Sequence, residues 1–340
     1  MNIVNRFPTR ILAALAFSAV SFGAQAIPLV VFGDSLSDTG NNRAALQQAF
    51  GAAYAPTPAS AINSNSFIPS APYVSGTYSN GDVWSDYLAR RLGSVSGETP
   101  SLLGGTNYAY GGARTGGAIN NGFPFPTNLV DQVNSYLGAR AGIADSTALF
   151  VIAGGGNNAR DTVDAAAAVA GAGGSPNSVI ASGAAANAGY VVNMVNQLRS
   201  AGAQKIVVWD TPNLGATPAA IASGAAGVGL ATAVSSTYNQ FLISALAGLP
   251  ITLFDVYGQL PVLAANSAFS NTTNACVFGS ACTTGNDYLF YDGIHPSTTA
   301  HRLIADTLFA QVPRPKCWDG YHRKTNNRCQ WYTHCQIHKR

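Results

Sequence analysis

Apolar residues along the chain fall into short continuous runs, each leading into a glycine- or asparagine-containing turn. They are Leu29 to Phe32, Thr106 to Tyr110, Ala148 to Ala153, Lys205 to Trp209 and Ile251 to Phe254. Between them the spacing of apolar positions becomes helical, over Val83 to Leu92, Val130 to Leu137, Ala181 to Arg199, Ala231 to Leu246 and Thr298 to Gln311. Strand-like and helix-like segments that alternate in this way predict a mainly parallel sheet with helices on both faces. The strand runs are continuously apolar rather than alternating, which fits a sheet buried on both sides. The expectation is one three-layer α/β/α sandwich around a central five-stranded sheet. The stretch Ala165 to Ala186 reads either as closely packed helices around a Gly174-Ser175-Pro176 break or as a flexible excursion. Gly51 to Asn80 is long, uncharged and rich in Pro, Ser, Ala and aromatics, the profile of a functional loop, here a wall for an apolar acyl chain.

In such a sheet a ligand sits beyond the carboxyl ends of the strands. Ser35, Gly111-Gly112 and Gly154-Gly155-Gly156-Asn157-Asn158 each follow one of the expected strands directly. Three turns therefore converge on one edge.

Length and composition set the frame for that site. With 340 residues, 47% of them hydrophobic, the chain can bury a large core. Arg6 and Arg10 precede an apolar run, Ile11 to Gly23, that ends in Ala24-Gln25-Ala26. This is the pattern of a secretory signal peptide over residues 1–26, too short for a spanning helix, so the mature chain is expected to begin at Ile27 as a secreted, periplasmic or cell-surface protein. Residues 27–312 form the expected catalytic domain, and 313–340 a basic, cysteine-containing tail without helical periodicity.

The net charge of +3 comes from the ends: residues 27–312 hold nine Lys and Arg against fourteen Asp and Glu. A nucleic-acid partner is not expected from an acidic body. Five cysteines suit an exported chain, and Cys276 and Cys282 are close enough in sequence to staple one loop by a disulfide. Cys317, Cys329, Cys335 and His338 crowd the tail, but no C-x-x-C pair supports a metal site there.

The chemistry lies in two segments far apart in sequence. Gly33-Asp34-Ser35-Leu36-Ser37 places a hydroxyl on the turn leaving the first strand, and Asp292-Gly293-Ile294-His295-Pro296 supplies a carboxylate and an imidazole three residues apart. A serine hydroxyl is a poor nucleophile near neutral pH. It needs a base within hydrogen-bond reach, and the base needs an acceptor to fix its tautomer. Ser35 is the expected nucleophile, His295 the base and Asp292 its orienter. Of the two histidines in the body, His295 stands beside Asp292, whereas His301 is expected to pack on the last helix. An oxyanion formed on attack needs preorganised donors, each contributing about 3 kcal/mol. The Ser35 and Gly112 amides and the Asn157 side chain are the candidates. Asp34 and Asp38 read as groups that stiffen the serine turn. No G-x-S-x-G elbow occurs, which argues against the α/β-hydrolase fold.

These segments resemble the GDSL (SGNH) family of serine esterases and lipases. Gly33 to Ser37 is similar to its nucleophile block, Asn107 to Ala113 to the second, Gly155 to Asn158 to the third and Asp292 to Pro296 to the last. Tyr78 to Trp84 and Pro212 to Pro218 resemble connecting stretches of bacterial members, so the likeness spans residues 28–311. It implies a flavodoxin-like fold and an exported monomeric ester hydrolase acting on an acyl ester, a lipid or an acetylated carbohydrate, with no metal or organic cofactor. Asn158 stands where the family usually has aspartate. An acyltransferase or polysaccharide deacetylase would use the same triad, and a binding protein could retain the scaffold.

Overall fold

The computed structural model describes residues 26–51, 76–117, 127–277 and 284–312. Its main sheet has four parallel strands, β1 (Leu29–Gly33), β2 (Leu149–Ala153), β3 (Lys205–Trp209) and β4 (Thr252–Phe254), side by side in that order. Helices fill the connections. After β1 come α1 (Asn41–Phe50), α2 (Trp84–Leu92), the single turn α3 (Val95–Glu98) and α4 (Leu129–Gly138). Next are α5 (Gly156–Gly171) and α6 (Asn177–Ser200) between β2 and β3, then α7 (Pro218–Ala222) and α8 (Gly224–Leu246) before β4. Beyond β4, α9 (Val256–Ala264) leads to a small parallel pair, β5 (Asn271–Ala275) and β6 (Tyr288–Phe290), and the chain closes in α10 (Thr298–Gln311).

Because strand side chains alternate in direction, each strand feeds two cores. Val30, Phe32, Phe150, Ile152, Ile206 and Val208 pack against α4, α6 and α8 on one face. Leu29, Val31, Leu149, Val151, Val207 and Trp209 pack against α2, α9 and α10 on the other. The three-layer sandwich expected from the pattern is therefore present. The Ala- and Gly-rich stretch takes its helical reading: α5 and α6 flank the Gly174-Ser175-Pro176 break, and Ala159, Ala166 and Ala184 bury their small faces against Tyr238 and Val234 of α8.

The fifth strand of the main sheet is a correction. Thr106 to Tyr110 does lie along β1, with Val31 N–H donating to Thr106 O, Tyr108 N–H to Val31 O and Tyr110 N–H to Gly33 O, but only one bridge to β1 forms, between Val31 and Asn107. Side chains take the groups a longer ladder would need. Gly33 N–H donates to Gln132 Oε1 at 2.8 Å, and Gln132 Nε2 donates back to Gly33 O at 2.9 Å. Asn41 Nδ2 donates to the Asn107 and Ala109 carbonyls, while Asn107 Oδ1 accepts from Ala109 N–H. Every one of these backbone groups is satisfied without a strand. The β5–β6 pair has no counterpart in the periodic pattern, since Asn271–Ala275 is polar in all but its last residue.

Candidate active site

Glycine at the end of β1 is a steric requirement. A Cβ on Gly33 would sit 2.8 Å from both Ala153 O and Ser37 Oγ. The chain then turns at once, Asp34 O accepting from Ser37 and Asp38 N–H at 3.0 Å and Asp34 Oδ1 from Leu36 N–H at 3.1 Å. Ser35 is thereby held at the carboxyl edge of the sheet, largely buried. The partner loop, between β6 and α10, is pinned from several directions. Tyr291 N–H donates to His295 O, Ser297 N–H to Leu289 O, Ala219 N–H to Gly293 O and Ser79 Oγ to Pro296 O. Asp292 Oδ1 accepts from the Ile294 and His295 amides at 2.8 and 2.7 Å, so the three-residue spacing closes a tight turn around the carboxylate.

The two segments meet. His295 Nε2 lies 2.8 Å from Ser35 Oγ, and His295 Nδ1 lies 2.6 Å from Asp292 Oδ2. All three side chains are buried, with residue exposures of 8% for Ser35, 4% for His295 and 3% for Asp292. Tyr78 backs the imidazole, with ring centroids 5.3 Å apart. In this arrangement the hydroxyl proton has a single nitrogen to go to, and the far nitrogen already faces a carboxylate.

The other two turns reach the same edge. Tyr110-Gly111-Gly112-Ala113 is closed by Ala113 N–H donating to Tyr110 O at 3.1 Å, and Gly112 has φ 83°. Gly111 admits no side chain, because a Cβ would stand 2.1 Å from the Tyr78 ring. Asn157, in the first turn of α5, donates from Nδ2 to Ala113 O at 2.9 Å, so the second and third turns are joined. Asn158 acts as an acceptor: its Oδ1 takes the Thr115 N–H at 2.9 Å and faces Thr115 Oγ1 at 3.3 Å. An uncharged amide thus serves where the resembling family carries an acid. Arg114 adds a second tie, donating from Nη1 to Gly112 O at 2.8 Å while its Nε and Nη2 hold Asp161 of α5 at 2.9 and 2.8 Å.

Asp38 and Asp34 are structural here. Asp38 Oδ1 accepts from the Gly40 and Asn41 amides and Oδ2 from Gly111 N–H, binding the start of α1 to the second turn. Burial pushes both carboxyls up to about 6, against the pull of the amides they accept from. His301 lies on α10, fully buried and away from the triad bonds, and burial followed by the charge of His295 pushes its pKa down to about 3. Cys276 is disulfide-bonded and buried. Its expected partner, Cys282, lies outside the described residues, as do 1–25, 313–340 and the 52–75 part of the expected acyl wall. No group of three or more His, Cys, Asp or Glu comes together as a metal site among the described residues.

The periodic reading missed Asn41, Asn42 and Gln132, the buried amides that set the loops around Ser35. Asn42 Nδ2 donates to Gly111 O and to Tyr78 Oη, both at 2.8 Å. In the sequence an Asn-Asn pair after glycine signals a turn or helix start, and nothing local shows that both side chains are buried.

A doubly covered parallel sheet thus brings Ser35, His295 and Asp292 together with three glycine- and asparagine-containing turns at its carboxyl edge. The sequence itself matches the GDSL-like Lipase/Acylhydrolase family over residues 29–308, and the chain belongs to that family. It is similar to Esterase EstA of Pseudomonas aeruginosa, 29% identical over 90% of this chain and 50% of that protein. A GDSL esterase/lipase of Arabidopsis thaliana is 26% identical over 88% of this chain and 94% of its own length. Among solved structures, a carbohydrate acetylesterase from Sinorhizobium meliloti aligns over 84% of this chain and 97% of its own, at 14% identity and a TM-score of 0.44. The chain spans about half the length of the bacterial EstA proteins it matches.

Proposed function

We propose that this protein is an exported serine carboxylic-ester hydrolase that works through an acyl-enzyme on Ser35. The observation that carries the reading is the continuous relay from Ser35 Oγ to His295 Nε2 and from His295 Nδ1 to Asp292, at 2.8 and 2.6 Å. Ser35 Oγ attacks the ester carbonyl as its proton passes to His295 Nε2. The tetrahedral oxyanion is held by the Ser35 and Gly112 amides and the Asn157 side chain. Neither amide has an acceptor among the described residues, and Asn157 spends only one of its two amide hydrogens on Ala113 O. Collapse expels the alcohol, which takes the proton from His295. Water, deprotonated by the same nitrogen, then cleaves the acyl-enzyme and releases the acid. Asp292 keeps His295 in the tautomer both steps require.

The three groups come from one chain, so a monomer carries a complete site. No described helix is long and apolar enough to cross a membrane. Export is inferred from the leader pattern at residues 1–26.

The test is Ser35→Ala. Hydrolysis of a short p-nitrophenyl ester should fall by about 10⁴-fold or more, with the circular-dichroism spectrum and thermal midpoint preserved. Undiminished turnover would remove the assignment. Adding an alcohol acceptor to the wild-type assay reads who resolves the acyl-enzyme: free acid alone marks a hydrolase, a new ester marks acyl transfer.

A further inference from the structure

We propose that Asn42 is the positioning residue that keeps the Gly112 amide available to the oxyanion, by locking the orientation of the Gly111–Gly112 peptide. The inference rests on the ester-hydrolase reading above. Tyr110 to Ala113 is a four-residue turn closed by Ala113 N–H donating to Tyr110 O, with φ 83° at its third residue, Gly112. Positive φ at that position is the signature of a type II turn. The same four residues can form a type I turn by rotating only the central peptide through about half a circle. Glycine on both sides of that peptide lowers the steric cost of the rotation. The turn is therefore bistable by composition, and its central peptide is the one that carries the Gly112 N–H.

In a trans peptide the C=O and N–H point in opposite directions, so whatever holds the Gly111 carbonyl aims the Gly112 amide. That carbonyl accepts from Asn42 Nδ2 at 2.8 Å. Asn42 is fully buried in the first turn of α1. Its orientation follows from chemistry, since a carbonyl can only accept and the group facing it must be the NH₂. The Gly112 N–H, on the opposite side of the peptide, has no acceptor among the described residues. After a flip it would face the Asn42 NH₂, donor against donor, and the Gly111 carbonyl would lose its partner. Neighbouring bonds do not duplicate this control. Asp38 holds Gly111 N–H, which belongs to the preceding peptide, and Arg114 holds Gly112 O, which belongs to the following one. The second hydrogen of the same Asn42 amide goes to Tyr78 Oη, and the Tyr78 ring packs on His295. One buried amide thus links the oxyanion turn to the backing of the general base.

Asn42→Asp is the discriminating variant. It keeps shape but replaces the donor by an acceptor, which repels the Gly111 carbonyl and attracts the flipped Gly112 N–H. Asn42→Ala removes the lock without rewarding the flip. With kcat normalised to Ser35 titrated by a fluorophosphonate, Asn42→Asp should lose about 100-fold in kcat, the scale of one oxyanion donor, and Asn42→Ala about tenfold, since the peptide then flips only part of the time. KM for the p-nitrophenyl ester should stay within about threefold, since the donor acts on the transition state. The affinity of phenylboronic acid, which forms a tetrahedral serine adduct, should fall in parallel with kcat. A purely structural role predicts fewer titratable sites with normal kcat per site. Normal kcat per site in both variants, or an unchanged boronate affinity, would overturn the inference. If Asn42→Asp does not fold, Asn42→Ala decides by the same readouts. A dead Ser35→Ala beside fully active Asn42 variants would sink this inference alone, whereas an active Ser35→Ala would sink the reading beneath it.

Discussion

His301 lies in the core with neither ring nitrogen hydrogen-bonded among the described residues. A buried imidazole without a partner is stable only when neutral, and burial takes its pKa from 6.5 down to about 3. The sign of the consequence follows from proton counting. Below pH 6.5 the unfolded chain binds a proton that the native state refuses until about pH 3, so native stability falls as pH drops through that window, by up to about 1.4 kcal/mol per pH unit. Asp34 and Asp38 pull the other way. Their carboxyls are raised to about 6, so their contribution is fully present below 3.8 and is lost as pH rises through 6. His301→Leu isolates the first effect because the aspartates are common to both proteins. In urea unfolding at pH 7 and pH 4.5, the variant should gain stability relative to wild type at the lower pH. An equal change with pH in both proteins would refute the argument. Asn42 is the other residue that matters out of proportion to its sequence signal, for the reason argued above.

Elements are placed here by side chains that reach across the molecule. Gln132 of α4 clamps Gly33 with two hydrogen bonds, at 2.8 and 2.9 Å, on the last residue before the serine turn. Tyr110 N–H still donates to Gly33 O beside the clamp, so what Gln132 takes from the Thr106 to Tyr110 segment is the Gly33 N–H. Gln132→Leu should cost about 2–3 kcal/mol, because it orphans the buried Gly33 N–H as well as removing the bonds. Chemical denaturation measures this directly, and an unchanged midpoint would show that the strand end holds without the clamp. At the other end of the site, α10 is docked on α2 by Tyr87 Oη with Thr298 Oγ1 at 2.8 Å and by the Arg91–Asp306 ion pair. Thr298 N–H donates to Asn80 Oδ1 at 2.8 Å. The loop that carries Asp292 and His295, immediately before α10, inherits that position.

For the whole molecule, the family match over residues 29–308 and the two sheet-face cores both fall within 27–312. We propose that this span is the complete catalytic unit and that the mature exported chain starts at Ile27. A protein trimmed to 27–312 should hydrolyse the p-nitrophenyl ester with kcat/KM within about threefold of the full chain. The intact mass of the exported protein should correspond to an Ile27 amino terminus. Loss of folding on trimming, or a mass that retains residues 1–26, would redraw these boundaries.

The amino-acid sequence alone determined the layered α/β/α order, the helix of the closing segment at Thr298 to Gln311, and Ser35, Asp292 and His295 as a group. Continuous apolar runs, helical periodicity and short motifs at strand ends are local signals that survive without coordinates. Only the tertiary structure decided that Ser35 and His295, 260 positions apart, lie within a hydrogen bond. It also decided that Thr106 to Tyr110 stops short of a full strand, and that Asn41, Asn42 and Gln132 are interior residues. Those outcomes depend on which backbone groups are left to be satisfied once the layers have packed. A buried amide chooses its partners by proximity across the fold, and proximity of that kind leaves no periodic trace along the chain.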